Sequence, residues 1–297
     1  MKSLVRRAVS FVIYFLLFSI LINGIFLLVI FNTDWDFVKR IKSLRFDQPS
    51  YEVLVLGSSL CEYGIDTELM SSKGIPSFNL SLVGSSIKTN YIQLREYLHN
   101  YQSQPKVVIL AVNAYLEAFH QEGIQPVVEF TMQGHRYGIK DVPVSKFGWA
   151  GMELLKKALF SDYRKMSMTS GHKKSIRIEP DETQHQALQL DIKKYRDAKW
   201  IQKTANLCHD YQIKLILIEI PGVQNTQNQC EVGPFILEFE NGSSAKLYNF
   251  NSRSFCEFID PDRDWSGLSH FNKYGAVKFT YRLLNEIQLR NQLSSMD

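Results

Sequence analysis

The feature that most limits how this sequence can fold is a run of 24 residues without a charged side chain, at positions 8–31. A helix needs about 20 apolar residues to cross the hydrocarbon core of a bilayer, so the run predicts one transmembrane helix. It is apolar on every face, whereas a surface helix of a soluble fold keeps a polar face. A cleaved signal peptide is the alternative, but its apolar stretch usually spans about 7–15 residues before a small-residue cleavage site, which positions 31–34 do not provide.

Basic residues flank the run on both sides. They are Lys2, Arg6 and Arg7 before it and Lys39, Arg40, Lys42 and Arg45 after it. The first group adjoins the run, whereas the second is more distant and mixed with Asp34 and Asp36. The positive-inside rule therefore favours a cytoplasmic N-terminus, which puts the main domain in the periplasm or outside the cell.

The net charge of +4 comes from this N-terminal segment. Residues 1–45 hold seven of the 34 basic and two of the 30 acidic residues, which leaves 27 basic and 28 acidic residues for positions 46–297. A nearly neutral body has no electrostatic footprint for nucleic acid. The hydrophobic fraction of 45% excludes wholesale disorder and is typical of a globular domain.

The body alternates between strand patterns and helix patterns. Buried strands are predicted at 51–56, 106–112 and 213–220, and helices at 90–101, 186–211 and 274–289. This alternation predicts an α/β fold with a mainly parallel sheet. The predicted organisation is a tail, anchor and linker over 1–45 and one α/β domain over 46–297, with an insertion at about 114–185 that holds a short helix near 151–160.

A serine stands where chemistry is expected in such a fold. The first strand ends in Leu56-Gly57-Ser58-Ser59, and ligands of open parallel sheets gather beyond the carboxyl ends of the strands. One interpretation makes a serine here a nucleophile, and the other makes Ser58 and Ser59 caps of the next helix.

Three further residues favour the nucleophile. Gly84 closes a strand-like run and leaves its backbone N–H open, Asn113 follows the second core strand, and His270 precedes the last helix. A serine needs a base within hydrogen-bond reach and donors for a tetrahedral oxyanion. Such a base could be His270.

The order of Gly57-Ser58-Ser59, Gly84, Asn113 and the segment SHFNKYGAVKFT around His270 resembles the four blocks of the SGNH (GDSL-type) hydrolase superfamily. The anchor and the GSSxxxYGID form of positions 57–66 resemble its envelope branch, which includes the teichoic-acid D-alanyl transfer protein and alginate O-acetyltransferase accessory proteins. The resemblance implies a three-layer, flavodoxin-like sandwich. It also implies Ser59 as nucleophile, His270 as general base, and an oxyanion hole built from the N–H groups of Ser59 and Gly84 and the side chain of Asn113.

The sequence departs from the family pattern at two positions. Ser58 replaces the usual aspartate before the nucleophile, and Gly267 replaces the aspartate that normally orients the histidine ring. We expect Asp264 to take the orienting role, because it is nearer to His270 in the sequence than the alternatives Asp260 and Asp262.

The resemblance implies a serine acyltransferase or esterase that acts on O-acyl groups of an envelope or exported polysaccharide. A membrane-bound O-acyltransferase would be its partner and a polysaccharide or polyol its acceptor. Two alternatives stay open: a lipase or deacetylase that hydrolyses esters, and a non-catalytic scaffold that binds glycan or partner. Walker A, GxGxxG and HExxH patterns are missing from the sequence, so we predict neither cofactor nor metal.

The four cysteines, Cys61, Cys208, Cys230 and Cys256, form no CxxC pair, which argues against a zinc ribbon or a thioredoxin motif. Two interpretations stay open: a disulfide between Cys230 and Cys256, or four unpaired thiols. Cys61, two residues after Ser59, is expected to be a small buried side chain and not a thiol nucleophile.

The topology generates a first prediction. A reporter that is active only in the cytoplasm, fused after Asp297, should give no signal because the body is expected outside the cytoplasm. A reporter active only after export, fused at the same position, should give a strong signal. The reverse pair of results would contradict the predicted orientation.

Overall fold

The structure is a computed structural model, and it describes residues 2–32, 50–100, 104–112, 128, 132, 168–169, 172–173, 192–221, 232–251, 258–260, 262–266 and 270–294. The first element, α1 (Lys2–Asn32), is the helix that the uncharged run predicts. Its segment Ser3–Ile25 has a mean hydropathy of 2.3, and none of it is buried against the rest of the described protein. A helix of this length and composition is long and apolar enough to cross a bilayer. The direction in which it crosses stays a prediction.

The other described helices are α2 (Ser59–Gly64), α3 (Thr67–Ser72), α4 (Ile87–Asn100), α5 (Ile192–Asp197), α6 (Lys199–Asp210), α7 (Lys273–Glu286) and α8 (Leu289–Ser294). The described strands are β1 (Val53–Leu56), β2 (Ser77–Asn79), β3 (Val107–Ala111), β4 (Met168–Thr169), β5 (His172–Lys173), β6 (Lys214–Glu219), β7 (Phe235–Glu238) and β8 (Ser244–Asn249).

Six of these strands form one sheet in the order β2-β1-β3-β6-β8-β7. The first five are parallel, and β7 runs antiparallel to β8 at the edge. Strands β4 and β5 form a separate antiparallel pair. The predicted α/β class with a mainly parallel sheet is therefore confirmed for the part of the chain that the structure describes.

Both faces of the central strands are buried under helices. Successive residues of a strand point to opposite faces, so Leu54 and Leu56 join one apolar cluster while Val53 and Val55 join the other. The first cluster also contains buried residues of α4 and α6, and the second contains residues of α2, α3, α7 and α8. Burial on both faces explains why β1 and β3 are uninterrupted apolar runs in the sequence.

The predicted elements agree with the structure in outline. The strands predicted at 51–56, 106–112 and 213–220 are β1, β3 and β6. The single helical pattern over 186–211 holds two described helices, α5 and α6, which meet at the extended residue Ala198. The expected helix near 151–160 lies outside the described residues, and the domain boundaries stay a prediction.

Two of the four cysteines can be assessed directly. Cys61 and Cys208 are buried free thiols. Cys230 and Cys256 lie outside the described residues, so the proposed disulfide between them stays a prediction.

A close contact between α7 and the chain before it generates the second prediction. A Cβ on Gly275 would overlap the carbonyl oxygen of Asp264 and lie 2.7 Å from Cδ1 of Phe271. We expect Gly275→Ala to lower the free energy of unfolding by about 1–3 kcal/mol, because backbone must shift to admit the methyl group. Denaturation of the full chain in detergent, followed by tryptophan fluorescence, measures the change.

The matched control is Asn285→Ala, an exposed substitution on the same helix. It should alter stability by no more than about 0.5 kcal/mol. Equal stabilities of the Gly275→Ala variant and the wild type would contradict the predicted overlap.

Candidate active site

The site begins where β1 turns directly into α2. Gly57 stands at this turn, and a Cβ there would lie 2.6 Å from Cβ of Cys61 and 2.9 Å from Cβ of Ala111. Such distances leave no room for a side chain. Ser58 is the N-cap residue of α2 by position, yet its side chain makes no capping hydrogen bond. The capping interpretation therefore does not describe Ser58.

The side chain of Ser59 contacts the predicted base. Its Oγ lies 2.7 Å from Nε2 of His270, across 211 residues of sequence. Both residues are partly exposed, so the pair is open to solvent. An imidazole nitrogen at this distance can accept the hydroxyl proton as the oxygen attacks a carbonyl. The structure thus brings together the two residues on which the serine hypothesis depends.

The position of His270 is fixed by backbone contacts and by one aromatic ring. Its carbonyl accepts a hydrogen bond from the N–H of Ser266 at 2.6 Å, and a backbone bridge joins its neighbour Phe271 to Trp265. The ring of Tyr63 meets the imidazole edge-on, with 5.4 Å between ring centroids. Burial lowers the pKa of His270 below its ordinary value of 6.5. The imidazole is therefore neutral at neutral pH, which is the form that can act as a base.

The structure does not bring Asp264 into contact with the imidazole. Its carboxylate is 1% exposed, and Oδ2 accepts hydrogen bonds from Nζ of Lys278 at 2.6 Å and from the N–H of Asp260 at 2.7 Å. Oδ1 of Asp260 accepts from the N–H of Asp262. Among the described residues, none of these three carboxylates is hydrogen-bonded to His270. Gly267 lies outside the described residues.

The predicted oxyanion donors are described in part. Gly84 has a φ of +74°, a conformation that glycine adopts without strain, in a turn closed by a hydrogen bond from the N–H of Ser85 to the carbonyl of Leu82. The N–H of Leu82 donates to the carbonyl of Gly57 at 3.1 Å, so this turn lies beside the end of β1. Asn113 lies outside the described residues, and its role stays a prediction.

A buried polar network supports this turn, and the sequence analysis did not predict it. The carbonyl of Gly57 accepts from Oγ of Ser85 at 2.6 Å and from Nδ2 of Asn90 at 3.2 Å. Asn90 also donates to Oε1 of Gln93, whose Nε2 donates to the carbonyl of Leu80. Positions 90, 93, 94 and 97 follow the i, i+3, i+4, i+7 spacing of one buried helix face. That spacing is the sequence signal by which Asn90 and Gln93 could have been identified, because it puts them on the same helix face as Leu94 and Tyr97.

Glu62 is a second residue that the sequence analysis missed. It lies three residues after Ser59 on α2 and is 2% exposed. Its Oε2 accepts a hydrogen bond from the N–H of Val83 at 2.9 Å. The helix that carries the candidate nucleophile is thereby joined to the turn that carries Gly84.

Cys61 cannot replace Ser59 as the nucleophile at neutral pH. It is fully buried, and burial raises the pKa of its thiol to about 12. Since the thiolate is the reactive form, the thiol is inert under ordinary conditions. Within the described residues, no three His, Cys, Asp or Glu side chains are grouped so that they could hold a metal ion.

Comparison with known proteins adds no family assignment. No protein-family model matches the chain, and no curated protein is significantly similar to it. The resemblance to SGNH hydrolases therefore rests on the motifs around Ser59, Gly84, Asn113 and His270.

The electrostatics of His270 generate the third prediction. Its imidazole should titrate with a midpoint below 6.5, because burial disfavours the charged form. NMR of the full chain in detergent micelles can follow the ring proton through pH 4–8, with the signal assigned by its loss in His270→Gln.

Unfolding supplies the control for this titration. In strong denaturant the midpoint should return to about 6.5, the value of an exposed histidine. Between the two midpoints the unfolded chain binds the extra proton, so the contribution of His270 to stability decreases as pH falls. A folded-state midpoint at or above 6.5 would contradict the assigned effect of burial.

Proposed function

We propose that this chain is a membrane-anchored serine acyltransferase or esterase of the SGNH type. The 2.7 Å contact between Oγ of Ser59 and Nε2 of His270 is the observation that carries the proposal. Further support comes from the order of the five parallel strands, β2-β1-β3-β6-β8, which corresponds to the 2-1-3-4-5 order of flavodoxin-like folds. In that fold the site belongs beyond the carboxyl ends of the strands, where Ser59 lies.

The reaction proceeds in two steps, and in each step His270 accepts one proton and then releases it. In the first, Oγ of Ser59 attacks the acyl carbonyl while its proton passes to Nε2 of His270. The tetrahedral intermediate then expels the donor alcohol, which takes that proton and leaves the acyl group esterified to Ser59. In the second, His270 removes the proton of an acceptor hydroxyl, whose oxygen attacks the ester. The proton then passes from Nε2 of His270 to Oγ of Ser59 as that oxygen leaves, which restores the free serine and the neutral imidazole.

The negative charge on the intermediate requires N–H donors beside Ser59. We assign this role to the backbone N–H groups of Ser59 and Gly84 and to the side chain of Asn113. The hydrogen bonds from Leu82 and Ser85 to Gly57 support this assignment for Gly84, because they tie its turn to the strand end that carries Ser59.

We propose O-acyl groups of an envelope or exported polysaccharide as the substrate, with a sugar or polyol hydroxyl as the acceptor. The apolar helix α1 supports a location at a membrane. The proposal places the N-terminus in the cytoplasm and the main domain in the periplasm or outside the cell. A membrane-bound O-acyltransferase is the proposed donor of the acyl group.

A non-catalytic scaffold is the second candidate function. It is favoured by the position of Asp264, whose carboxylate contacts Lys278 and Asp260 and not His270. A triad that loses its orienting carboxylate retains little turnover, with losses of about 10⁴-fold in the serine-protease example. Such a protein would bind the glycan or the acyltransferase partner without changing either.

The fourth prediction tests the nucleophile. Ser59→Ala should abolish labelling by a fluorophosphonate, in which Oγ displaces fluoride from phosphorus while His270 takes the proton. The substitution should leave the fold intact because Ser59, the first residue of α2, is partly exposed. Mass spectrometry of labelled wild type should find the modification on Ser59 alone.

Ser58→Ala is the matched control and should still be labelled, since Ser58 makes no contact with His270 among its described contacts. Labelling of Cys61, or full labelling of the Ser59→Ala variant, would contradict the assignment.

With an activated acetyl ester and a polyol acceptor, acetylated polyol indicates a transferase and free acetate alone indicates a hydrolase. A wild type that no fluorophosphonate labels would favour the scaffold.

A further inference from the structure

The buried carboxylate of Asp264 forms an ion pair with Lys278 close in sequence to His270. Lys278 reaches it from α7, and 43% of the lysine side chain stays exposed. The aspartate belongs to the chain segment that precedes His270. The 2.6 Å contact between Nζ and Oδ2 therefore joins that segment to the helix that follows His270.

Backbone hydrogen bonds also hold Asp264 in place. Its carbonyl accepts from the N–H of Asn272, and its own N–H donates to the carbonyl of Asp260. The side chain of Asn272 donates to the carbonyls of Arg263 and Trp265 and caps the first turn of α7. Asp264 is thus held through its backbone N–H, its backbone carbonyl and its carboxylate.

His270 takes part in the same set of backbone contacts. The N–H of Ser266, two residues after Asp264, donates to the carbonyl of His270, and Phe271 pairs with Trp265. Movement of Asp264 would therefore displace the backbone contacts of Trp265 and Ser266 that hold His270. We expect such movement to change the 2.7 Å distance between Nε2 of His270 and Oγ of Ser59.

We propose that Asp264 and Lys278 are positioning residues that hold His270 against Ser59 through the backbone contacts of residues 264–266 with residues 270–272. This inference rests on the proposed function, and it replaces the expected direct contact between Asp264 and the imidazole. Oδ2 of Asp264 already accepts two hydrogen bonds, and Lys278 offsets its negative charge. The pair acts on the distance and angle between His270 and Ser59, and not on the charge of the ring.

The experiment measures the rate constant of fluorophosphonate labelling at Ser59 in the full chain. It compares the wild type with Asp264→Asn, Lys278→Met and the double variant. Each single substitution should slow labelling by about 10–100-fold, the cost of a small displacement of a reacting group. The double variant should be slowed about as much as one single variant, because the two side chains form one interaction.

The pH profile separates positioning from a direct effect on the ring. If the pair acts through the backbone, the plateau rate falls while the acid midpoint stays at the wild-type value. If Asp264 stabilises the imidazolium directly, Asp264→Asn lowers the midpoint and Lys278→Met does not. That second pattern, or wild-type labelling by the Lys278→Met variant, would overturn the inference.

A conservative variant and a control variant keep the test independent of folding defects. Lys278→Arg retains a cation near Asp264 and should restore most of the rate. Arg282→Met removes another cation of α7 and should label at the wild-type rate. Nε of Arg282 contacts Oε1 of Glu286 at 3.2 Å and its guanidinium lies 5.9 Å from the ring centroid of Phe258, and neither contact involves Asp264. If Arg282→Met is slowed as much as Lys278→Met, the inference is overturned. A wild type without labelling at Ser59 overturns the proposed function itself.

Discussion

The turn at Gly57 is the constraint on which the rest of the site depends. The space where its side chain would be is filled by Cβ of Cys61 and Cβ of Ala111, so α2 can begin directly at the end of β1. The Gly57 carbonyl also accepts three hydrogen bonds, from Leu82, Ser85 and Asn90. A single residue thereby sets the start of α2, which carries Ser59, and the position of the Gly84 turn.

The second half of the site reaches Ser59 from the far end of the chain. Asn272 caps α7, and the same side chain binds two carbonyls of the preceding segment. Gly275 allows α7 to approach the carbonyl of Asp264. The serine and the histidine are thus supported by separate polar networks, and beside each network is a glycine at which a Cβ would overlap neighbouring atoms.

The sequence predicted the parts of this structure that depend on strong periodic patterns. Buried parallel strands such as β1, β3 and β6 are continuous apolar runs. The pair of Ser59 and His270 was predicted from the end of the first strand, the start of the last helix and the resemblance to the SGNH pattern. The last two strands of the sheet, β8 and the edge strand β7, gave no comparable signal. Only Leu237 of β7 is buried, and β8 alternates exposed and buried residues only in its first half.

The residues that were missed or misplaced are polar groups whose partners are distant in sequence. Glu62 binds the N–H of Val83, 21 residues away, and Asn90 binds the carbonyl of Gly57, 33 residues away. Asp264 was expected near His270 because it is close in sequence, but Lys278 satisfies its carboxylate instead. Burial lowers the pKa of the imidazole below its ordinary value. The arrangement keeps His270 neutral and able to accept the proton of Ser59, which is the state in which a serine–histidine pair begins its reaction.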